Sequence, residues 1–218
     1  MRRVLEPELM EDEMQVSAYA QADFEEPNSC FIELFEKRFG PDIRGHVLDL
    51  GCGPGDIVFR FAEKYPAVHV HGVDGSKAML DFARRHLPPA LEGRVDFIQG
   101  RLPHEALPRT RYDAVISNSL LHHLPDPAVL WKSIKRYTVK NGAVLVMDLR
   151  RPTTQTAAAA LVETHAANEP SILQRDFYNS LLAAFEPEEI ETQLEDAGLS
   201  TLSIEEMGDR HVVVSGTL

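Results

Sequence analysis

The stretch VLDLGCGPGD, residues 47–56, contains the features that decide the fold of this chain. The mostly apolar run 46–50 predicts a buried strand, and IVFRFA at 57–62 resumes a pattern that suits a helix. Between them, Gly51, Gly53 and Gly55 form a dense turn. Because glycine has no Cβ and adopts positive φ, a ligand can approach such a backbone closely. The stretch therefore predicts a ligand site where a buried strand ends.

The spacing of the glycines argues against a dinucleotide site. The dinucleotide fingerprint places its third glycine three positions after the second, and Asp56 occupies that place here. The strand also carries an acid, Asp49, two residues before the first glycine. This combination resembles the first motif of the class I S-adenosylmethionine-dependent methyltransferases. The resemblance implies S-adenosylmethionine as cofactor and S-adenosylhomocysteine as product, bound at Asp49, Gly51, Cys52, Gly53 and Gly55.

Composition and charge narrow the class of protein. The chain has 218 residues, of which 44% are hydrophobic and 26% charged, as expected for one globular domain. A formal net charge of -12 repels phosphate backbones, so nucleic acid is disfavoured as a partner. The two cysteines have the spacing of neither a disulfide framework nor a zinc site, and we expect no metal. We find no signal peptide and no membrane-spanning run, and we expect a cytoplasmic protein without a membrane partner.

A second predicted strand, residues 68–74, ends in Asp74, 19 positions after Gly55. In α/β nucleotide folds an acid at the end of the second strand binds the ribose, because its two carboxylate oxygens can accept hydrogen bonds from both ribose hydroxyls. The alternative is that Asp74 caps the next helix, although Ser76 can do that instead. The resemblance places Gly75, Ser76 and Met79 at the cofactor, with Met79 against the adenine ring; a methionine there is often only core.

The third and fourth predicted strands, 95–100 and 112–119, supply the remaining cofactor residues. The family commonly has an acid after the third strand for the adenine amino group, whereas this chain has Gly100, Arg101 and Leu102. That contact is therefore unassigned, although backbone groups there can address the ring. Asn118 and Ser119 match the family positions that face the methionine part of the cofactor.

The sequence LLHHLP follows the fourth strand, and two adjacent histidines cannot both face the pocket on a regular element. We predict that His123 lies at the pocket rim, as a catalytic and acceptor-binding residue. Arg150 and Arg151 follow the fifth predicted strand, 143–149, at the edge where open sheets bind ligands. They can hold an acceptor carboxylate or phosphate, or pair with surface acids, and both interpretations stay open.

The flanking segments are mostly helical in pattern. Residues 8–22 and a helix capped by Ser29 and ending near Phe39 come first, and Tyr19 either anchors this segment or faces the pocket as a catalytic and substrate-binding residue. Two helices within 153–185 carry Arg175 and Tyr178, which either face the acceptor or simply pack. A last helix from Pro187 to Gly198 precedes strands at 199–204 and 211–215.

Alternating strands and helices predict a parallel α/β sheet with right-handed crossovers. The resemblance covers the chain from about Phe31 to its last residue. It implies a three-layer αβα Rossmann-like class I methyltransferase fold, with a mostly parallel seven-stranded sheet and an antiparallel last strand. We expect a single domain, 1–218, composed of a helical lid (1–40), a cofactor-binding core (41–150), a helical insertion over the acceptor site (153–185) and a last helix with a β-hairpin (186–218).

The predicted function is transfer of a methyl group by in-line displacement to a small-molecule acceptor, with an anionic acceptor favoured by Arg150, Arg151 and Arg175. We expect a monomer or homodimer. One alternative is a methyltransferase-like binding protein without turnover. The other is an NAD(P)-dependent oxidoreductase, against which Asp56 argues.

Overall fold

The apolar run before the glycine turn forms the first strand of a seven-stranded sheet. The computed structural model describes residues 1–6, 15–16, 19–20, 22, 24–103 and 107–218. The strands are β1 (Gly45–Leu50), β2 (Val68–Asp74), β3 (Val95–Gln99), β4 (Tyr112–Asn118), β5 (Thr138–Leu149), β6 (Ser203–Met207) and β7 (His211–Thr217). Their order in the sheet is β3-β2-β1-β4-β5-β7-β6. Pairings among β1 to β5 are parallel, and β7 runs antiparallel to both of its neighbours. The predicted sheet is confirmed, including its antiparallel last strand.

The helices cover both faces of this sheet. They are α1 (Glu25–Phe39), α2 (Asp56–Lys64), α3 (Lys77–His86), α4 (Ala128–Tyr137), α5 (Gln155–Ala166), α6 (Ser171–Ala183) and α7 (Pro187–Ala197). Buried side chains of α1, α2 and α3 pack with Val47 of β1 on one face. Buried side chains of α4 and α7 pack with Leu48 on the other, because successive strand residues point to opposite faces. This arrangement confirms the three-layer αβα architecture.

The strand order determines where a ligand can bind. β1 lies between β2 and β4. The chain runs from β1 outwards to β2 and β3, and then crosses back to form β4 on the other side of β1. In open α/β sheets the crevice at such a switch point, outside the carboxyl ends of the strands, is the usual binding place. The ends of the two strands are tied here, since Ser117 Oγ donates a buried hydrogen bond of 2.8 Å to the Leu50 carbonyl.

Helix α1 begins earlier than predicted. It starts at Glu25, so Ser29 lies inside the helix, and its hydroxyl donates to the Glu25 carboxylate at 2.9 Å instead of capping. Pro27 does not interrupt the helix, because N–H groups in the first turn have no intrahelical partner to lose. Most of the predicted helix 8–22 lies outside the described residues; 15–16 and 19–20 are helical.

The strands near the end of the chain also differ from the prediction. The predicted strand 199–204 is shifted, because β6 begins at Ser203 and Leu199 and Leu202 are buried in the turn that follows α7. Strand β5 begins at Thr138, earlier than the predicted start at residue 143; Asn141 within it has a φ of 62°. The predicted end of α7 at Gly198 is confirmed by its left-handed φ of 65°.

The first residues of the chain pack beside the end of β5. The backbone N–H of Val4 donates to the Leu182 carbonyl at 3.0 Å. The Arg3 guanidinium donates to the carbonyls of His122 and Leu124 at 2.8 and 3.0 Å. Helices α5 and α6 pack together around Ala158 and Leu181 on the same side. Among the described residues, no helix has both the length and the apolar character that a bilayer crossing requires.

Candidate functional site

The glycine turn connects β1 to α2 through three residues with positive φ: Gly51 at 77°, Gly53 at 51° and Gly55 at 94°. The N–H groups of Gly51 and Cys52 donate to the Val73 carbonyl at 2.8 and 3.0 Å, which holds the turn against β2. A Cβ built on Gly53 would meet no atom within 4 Å, so the backbone of the turn borders open space. A ligand in that space can reach this backbone closely.

Asp74 ends β2 beside this turn and organises it. Its carboxylate accepts from the Gly53 N–H at 2.9 Å and from the Ser76 N–H at 2.8 Å. The cap of α3 is Ser76, whose buried Oγ accepts from the Met79 N–H at 3.1 Å. The helix-capping role that we left open between Asp74 and Ser76 therefore belongs to the serine side chain, while Asp74 binds the two backbone segments together.

Asp49 lies near the end of β1, below the glycine turn, and its carboxyl group is buried. Its side chain is only 1% exposed, and neither carboxylate oxygen has a hydrogen-bond partner among the described residues. Burial, with a smaller contribution from the charge of Asp74, raises the pKa of Asp49 to about 8. A buried polar group without a partner costs roughly 1–3 kcal/mol. Such a carboxyl is suited to receive a hydrogen-bond donor, above all a cationic amino group, from a ligand.

Asn118 is the last residue of β4, and Ser119 follows it at the same edge of the sheet. The Asn118 amide donates to Asn28 Oδ1 at 3.3 Å, whereas its own Oδ1 is buried without a partner in the described part of the chain. Ser119 has a left-handed φ of 57°, a strained conformation that is concentrated at functional sites. Asn28 in turn donates to the Asp56 carboxylate at 2.6 Å. These bonds hold α1 over the carboxyl edge of the sheet.

The two adjacent histidines have different environments, as predicted. His122 is buried and its Nδ1 lies 2.5 Å from Asp148 Oδ1, at the end of β5. His123 is 30% exposed, and its Nδ1 lies 3.0 Å from Glu6 Oε1, which is also 3.5 Å from His122 Nε2. Burial alone would lower the pKa of His122, but the charge and hydrogen bond of Asp148 raise it above its ordinary value. Burial alone would raise the pKa of Asp148, but His122 and the Leu149 N–H hold it low.

Tyr19 lies near the same acids. Burial, followed by the charges of Asp74, Asp148 and Asp56, raises the pKa of Tyr19 to about 12. Its ring also contacts Phe24, with ring centroids 4.9 Å apart. The phenol is therefore protonated at neutral pH and can donate a hydrogen bond, but it is poorly suited to act as a general base.

The other predicted cofactor residues are placed as follows. Cys52 is buried and its Sγ lies towards β2, close to Gly72, so only its backbone is available to the turn. Met79 is 7% exposed in the first turn of α3. The Gly100 N–H donates to the Asp74 carbonyl at 2.9 Å, and Gly75 is half-buried. Arg101 is exposed, and Leu102 packs against the core on the α4 face of the sheet.

The three arginines are paired with carboxylates. Arg150 lies 2.5 Å from Glu206, Arg175 lies 3.0 Å from Asp176, and the buried Arg151 lies 2.8 Å from Glu189. Arg150 and Arg151 also line a cavity of about 340 Å³ beside α5, which none of the predicted cofactor residues lines. For Arg150 and Arg151, the structure shows the pairing with acids that was one of the two interpretations left open. No contact among the described residues joins these guanidinium groups to the glycine turn.

Tyr178 packs at the edge of the cluster formed by Leu149, Ala158 and Leu181, which matches the packing interpretation of this residue. Sequence reasoning missed Glu6, Asn28 and Asp148. Asp148 follows the same rule as Asp49 and Asp74, an acid near the carboxyl end of a central strand, and that signal could have identified it. Glu6 and Asn28 belong to the site only through folding, and no spacing indicates them.

Comparison with known proteins agrees with this geometry. A family model described as a methyltransferase domain matches residues 42–198. This chain belongs to the methyltransferase domain family. The matched range contains all the strand-end residues described above, from Asp49 to Asp148.

Individual relatives of this methyltransferase-family chain are similar over parts of their length. Trans-aconitate 2-methyltransferase of Azoarcus sp. is 34% identical over 118 residues, covering 54% of this chain and 44% of the relative. Demethylmenaquinone methyltransferase of Lactococcus lactis is 31% identical over 147 residues, covering 66% of this chain and 58% of the relative. The chain thus spans about half the length of these curated relatives.

Solved structures share the fold. A SAM-dependent methyltransferase from Aquifex aeolicus superposes with a TM-score of 0.68 at 16% identity, covering 95% of this chain and 99% of that one. The plantazolicin methyltransferase BpumL, solved with a triazolic desmethylPZN analog and SAH, superposes with a TM-score of 0.67 at 13% identity, covering 93% and 90%. At such low identity the likeness concerns the fold alone.

Proposed function

We propose that this protein is an S-adenosylmethionine-dependent methyltransferase that acts on a small-molecule acceptor. The observation that carries the proposal is the buried, unpartnered carboxyl of Asp49 beneath a glycine turn whose backbone borders open space. Among common cofactors with a ribose, S-adenosylmethionine also carries a free amino group, which is the partner that Asp49 lacks. Family membership of residues 42–198 supports the same choice.

The residues fit the parts of this cofactor. Each Asp74 oxygen accepts from a backbone N–H of the segments that border the glycine turn, and a carboxylate offers two acceptor oxygens, so we propose that Asp74 binds the ribose hydroxyls there. Asn118 Oδ1, which is buried without a partner among the described residues, can accept a second bond from the amino acid part. Met79 and Leu102 offer apolar contact to the adenine ring. The bound cofactor supplies an activated methyl group, and the protein positions the acceptor for in-line attack.

We propose that His123 and Tyr19 bind the acceptor and that Glu6, which lies beside His123, belongs to the same pocket. His123 is half-buried, and its Nδ1 lies 3.0 Å from the Glu6 carboxylate without forming a hydrogen bond to a described residue; we propose that this imidazole takes a proton from the acceptor. Tyr19 is protonated at neutral pH and serves to hold the acceptor by donation. Within the single domain 1–218, we propose residues 1–40 as the lid and 153–185 as the roof of this pocket.

The identity of the acceptor is bounded only by class. The named relatives act on trans-aconitate, demethylmenaquinone and phosphoethanolamine, all of them small molecules. The buried Arg151 is already engaged by Glu189, so we propose that it does not hold an anionic acceptor. We propose a cytoplasmic location, consistent with Cys30 and Cys52 as free thiols.

Calorimetric titration with S-adenosylmethionine and S-adenosylhomocysteine, with NADH as the comparison ligand, tests the cofactor. We expect saturable binding of the first two alone. Binding of NADH with similar affinity would favour the oxidoreductase alternative. Turnover is tested separately, by screening acceptors for release of S-adenosylhomocysteine; tight binding without any release would favour the non-catalytic alternative.

The Asp74→Ala variant tests the ribose assignment. Removing charge-assisted hydrogen bonds worth about 1.5–3 kcal/mol should weaken S-adenosylhomocysteine binding roughly 10- to 100-fold. The matched control is Asp81→Ala, an acid of α3 that pairs with Lys77 and Arg84 on the surface and should bind as the parent does. Equal affinity in the Asp74 variant and the parent, with both folded by circular dichroism, would show that the assignment is wrong.

A further inference from the structure

Four side chains of β1, β2 and β3 form a second cluster on the sheet, away from the glycine turn. His69 and His71 alternate along β2 and therefore point to the same face. Asp96 of β3 is the register partner of His71, and His46 of β1 is the register partner of His69. His69 lies five residues before Asp74, on the order of 16 Å along the strand, so the cluster is separate from the proposed cofactor site.

The ligating atoms of three of these residues converge. His69 Nε2 lies 2.7 Å from Asp96 Oδ2, and His71 Nε2 lies 3.7 Å from the same oxygen. One ligand atom from each of His69, His71 and Asp96 lies within 4.8 Å of the others. Ligands about 2.0–2.1 Å from a tetrahedral zinc ion are roughly 3.4 Å apart. Small side-chain rotations would bring all three atoms to that spacing.

The surroundings suit a metal ligand. His71 Nδ1 lies 2.8 Å from the hydroxyl of Tyr112, and both side chains are buried. In the tautomer that donates Nδ1–H to this hydroxyl oxygen, Nε2 presents its lone pair towards Asp96. Metal-binding histidines are oriented in this way, by a hydrogen bond from the other ring nitrogen. His69 and Asp96 are 30% and 61% exposed at the side chain, which leaves a route from solvent and room for a water ligand.

We propose that His69, His71 and Asp96 bind a divalent transition-metal ion of the zinc type. Two imidazoles and one carboxylate are ligands that zinc accepts, with water in the fourth position. The ion would link β2 to β3, which is an outermost strand of the sheet and, among the described strands, pairs only with β2. Its role is structural, fastening an edge strand whose register depends otherwise on a single neighbour.

The test uses the full chain after chelator treatment and removal of the chelator. We expect Co²⁺ to bind with one-to-one stoichiometry and to give the visible absorption of a four-coordinate site, and Zn²⁺ to displace it. His69→Ala and Asp96→Asn should each weaken Zn²⁺ binding by about tenfold or more. Both residues are partly exposed, so these variants should fold, which circular dichroism of the metal-free proteins checks. Zn²⁺ should raise the melting temperature of the parent but not of either variant.

Two control variants make the result specific. His165 and Asp209 form a surface pair with the same 2.7 Å separation, and they belong to no group of three converging ligands in the described part of the chain. His165→Ala should therefore bind Zn²⁺ as the parent does. His123→Ala removes a member of the other converging group, Glu6, His122 and His123. Loss of binding in this variant but not in His69→Ala would overturn the proposal, as would the absence of binding by the parent at micromolar Zn²⁺.

Discussion

At the scale of single residues, environment gives two aspartates different roles. Asp49 and Asp74 both lie at the carboxyl edge of the sheet, on neighbouring strands. Asp74 accepts from two backbone N–H groups and shapes the glycine turn. Asp49 accepts from none among the described residues, and burial raises its pKa to about 8. One carboxylate is thus already part of the structure, and the other is available for a ligand.

The raised pKa of Asp49 predicts how ligand binding depends on pH. In the free protein Asp49 is mostly protonated at neutral pH, whereas a bound amino group favours the carboxylate, so binding should release a proton. The affinity for S-adenosylhomocysteine should therefore rise by up to roughly tenfold per pH unit between pH 6 and pH 8. Calorimetry across this range, in two buffers of different ionisation enthalpy, measures both the affinity and the proton release.

The Asp49→Asn variant is the control for this pH dependence. Its affinity should change little between pH 6 and pH 8, because the amide does not titrate. The free energy of unfolding should also depend less on pH in Asp49→Asn than in the parent. A pKa of about 8 for Asp49 in the folded state means that the folded protein holds the carboxyl proton more tightly than the unfolded chain does. Asp49 therefore makes the parent less stable as pH rises from about 4 to 8. A pH-independent affinity in the parent would contradict the assignment.

Comparing alanine substitutions at two glycines with similar backbone conformations distinguishes the effect of backbone strain from the effect of lost ligand contact. Gly53 and Gly93 have φ of 51° and 76°, and a Cβ at either would meet no atom within 4 Å. Alanine at each should cost about 1–2 kcal/mol of unfolding free energy, from the left-handed conformation alone. Only Gly53→Ala should also weaken S-adenosylhomocysteine binding, because only Gly53 lies in the turn. Equal ligand affinity in the two variants would place the ligand away from the turn.

At the scale of elements, the end of β5 shows how adjacent residues of one type can differ in effect. Arg151 is buried, donates to the Ala184 carbonyl at 3.0 Å and pairs with Glu189 near the start of α7. Arg150 lies partly exposed and pairs with Glu206 of β6. The Arg151 bonds link the start of α7 to the end of β5, whereas the Arg150 pair links two side chains at the surface.

This difference predicts unequal stability losses. Arg151→Ala should lower the free energy of unfolding by about 2–3 kcal/mol, since it leaves a buried carbonyl and a partly buried carboxylate without their partner. Arg150→Ala should cost less than about 1 kcal/mol, as is usual for exposed ion pairs. Urea unfolding with an unchanged m-value measures both. Equal losses would mean that the Arg151 bonds are replaced by water.

At the scale of the whole molecule, the site is assembled from distant parts of the chain. Residues near the ends of β1, β2, β4 and β5 meet α1 through Asn28 and the first residues through Glu6. Because these contacts exist only in the folded chain, a ligand that binds among them should stabilise the entire fold.

Stabilisation by ligand is therefore expected to be large and specific. At a concentration 100 times its Kd, S-adenosylhomocysteine should add about 2.7 kcal/mol, which corresponds to a rise of roughly 5–10 °C in melting temperature for a protein of this size. NADH should produce no rise. Differential scanning fluorimetry measures both, and Asp74→Ala should reduce the effect of S-adenosylhomocysteine. An unchanged melting temperature with all ligands would contradict the proposed site.

The sequence by itself determined the fold class, the position of the glycine turn and the two acids that flank it. These features depend on local rules: an apolar run forms a strand, glycines permit positive φ, and an acid ends the next strand. Asp49, Gly51, Gly53, Gly55 and Asp74 could be identified for that reason. The difference in burial between His122 and His123 was also predicted, although both imidazoles reach the same Glu6 oxygen.

Only the tertiary structure decided which distant groups meet. It paired Asp148 with His122 and Glu6 with His123, and it engaged Arg150 and Arg151 with acids far along the chain. It also brought Asp96 to His69 and His71 across two strands. Such contacts arise from strand order and helix packing, which act between residues far apart in sequence. No local spacing contains that information.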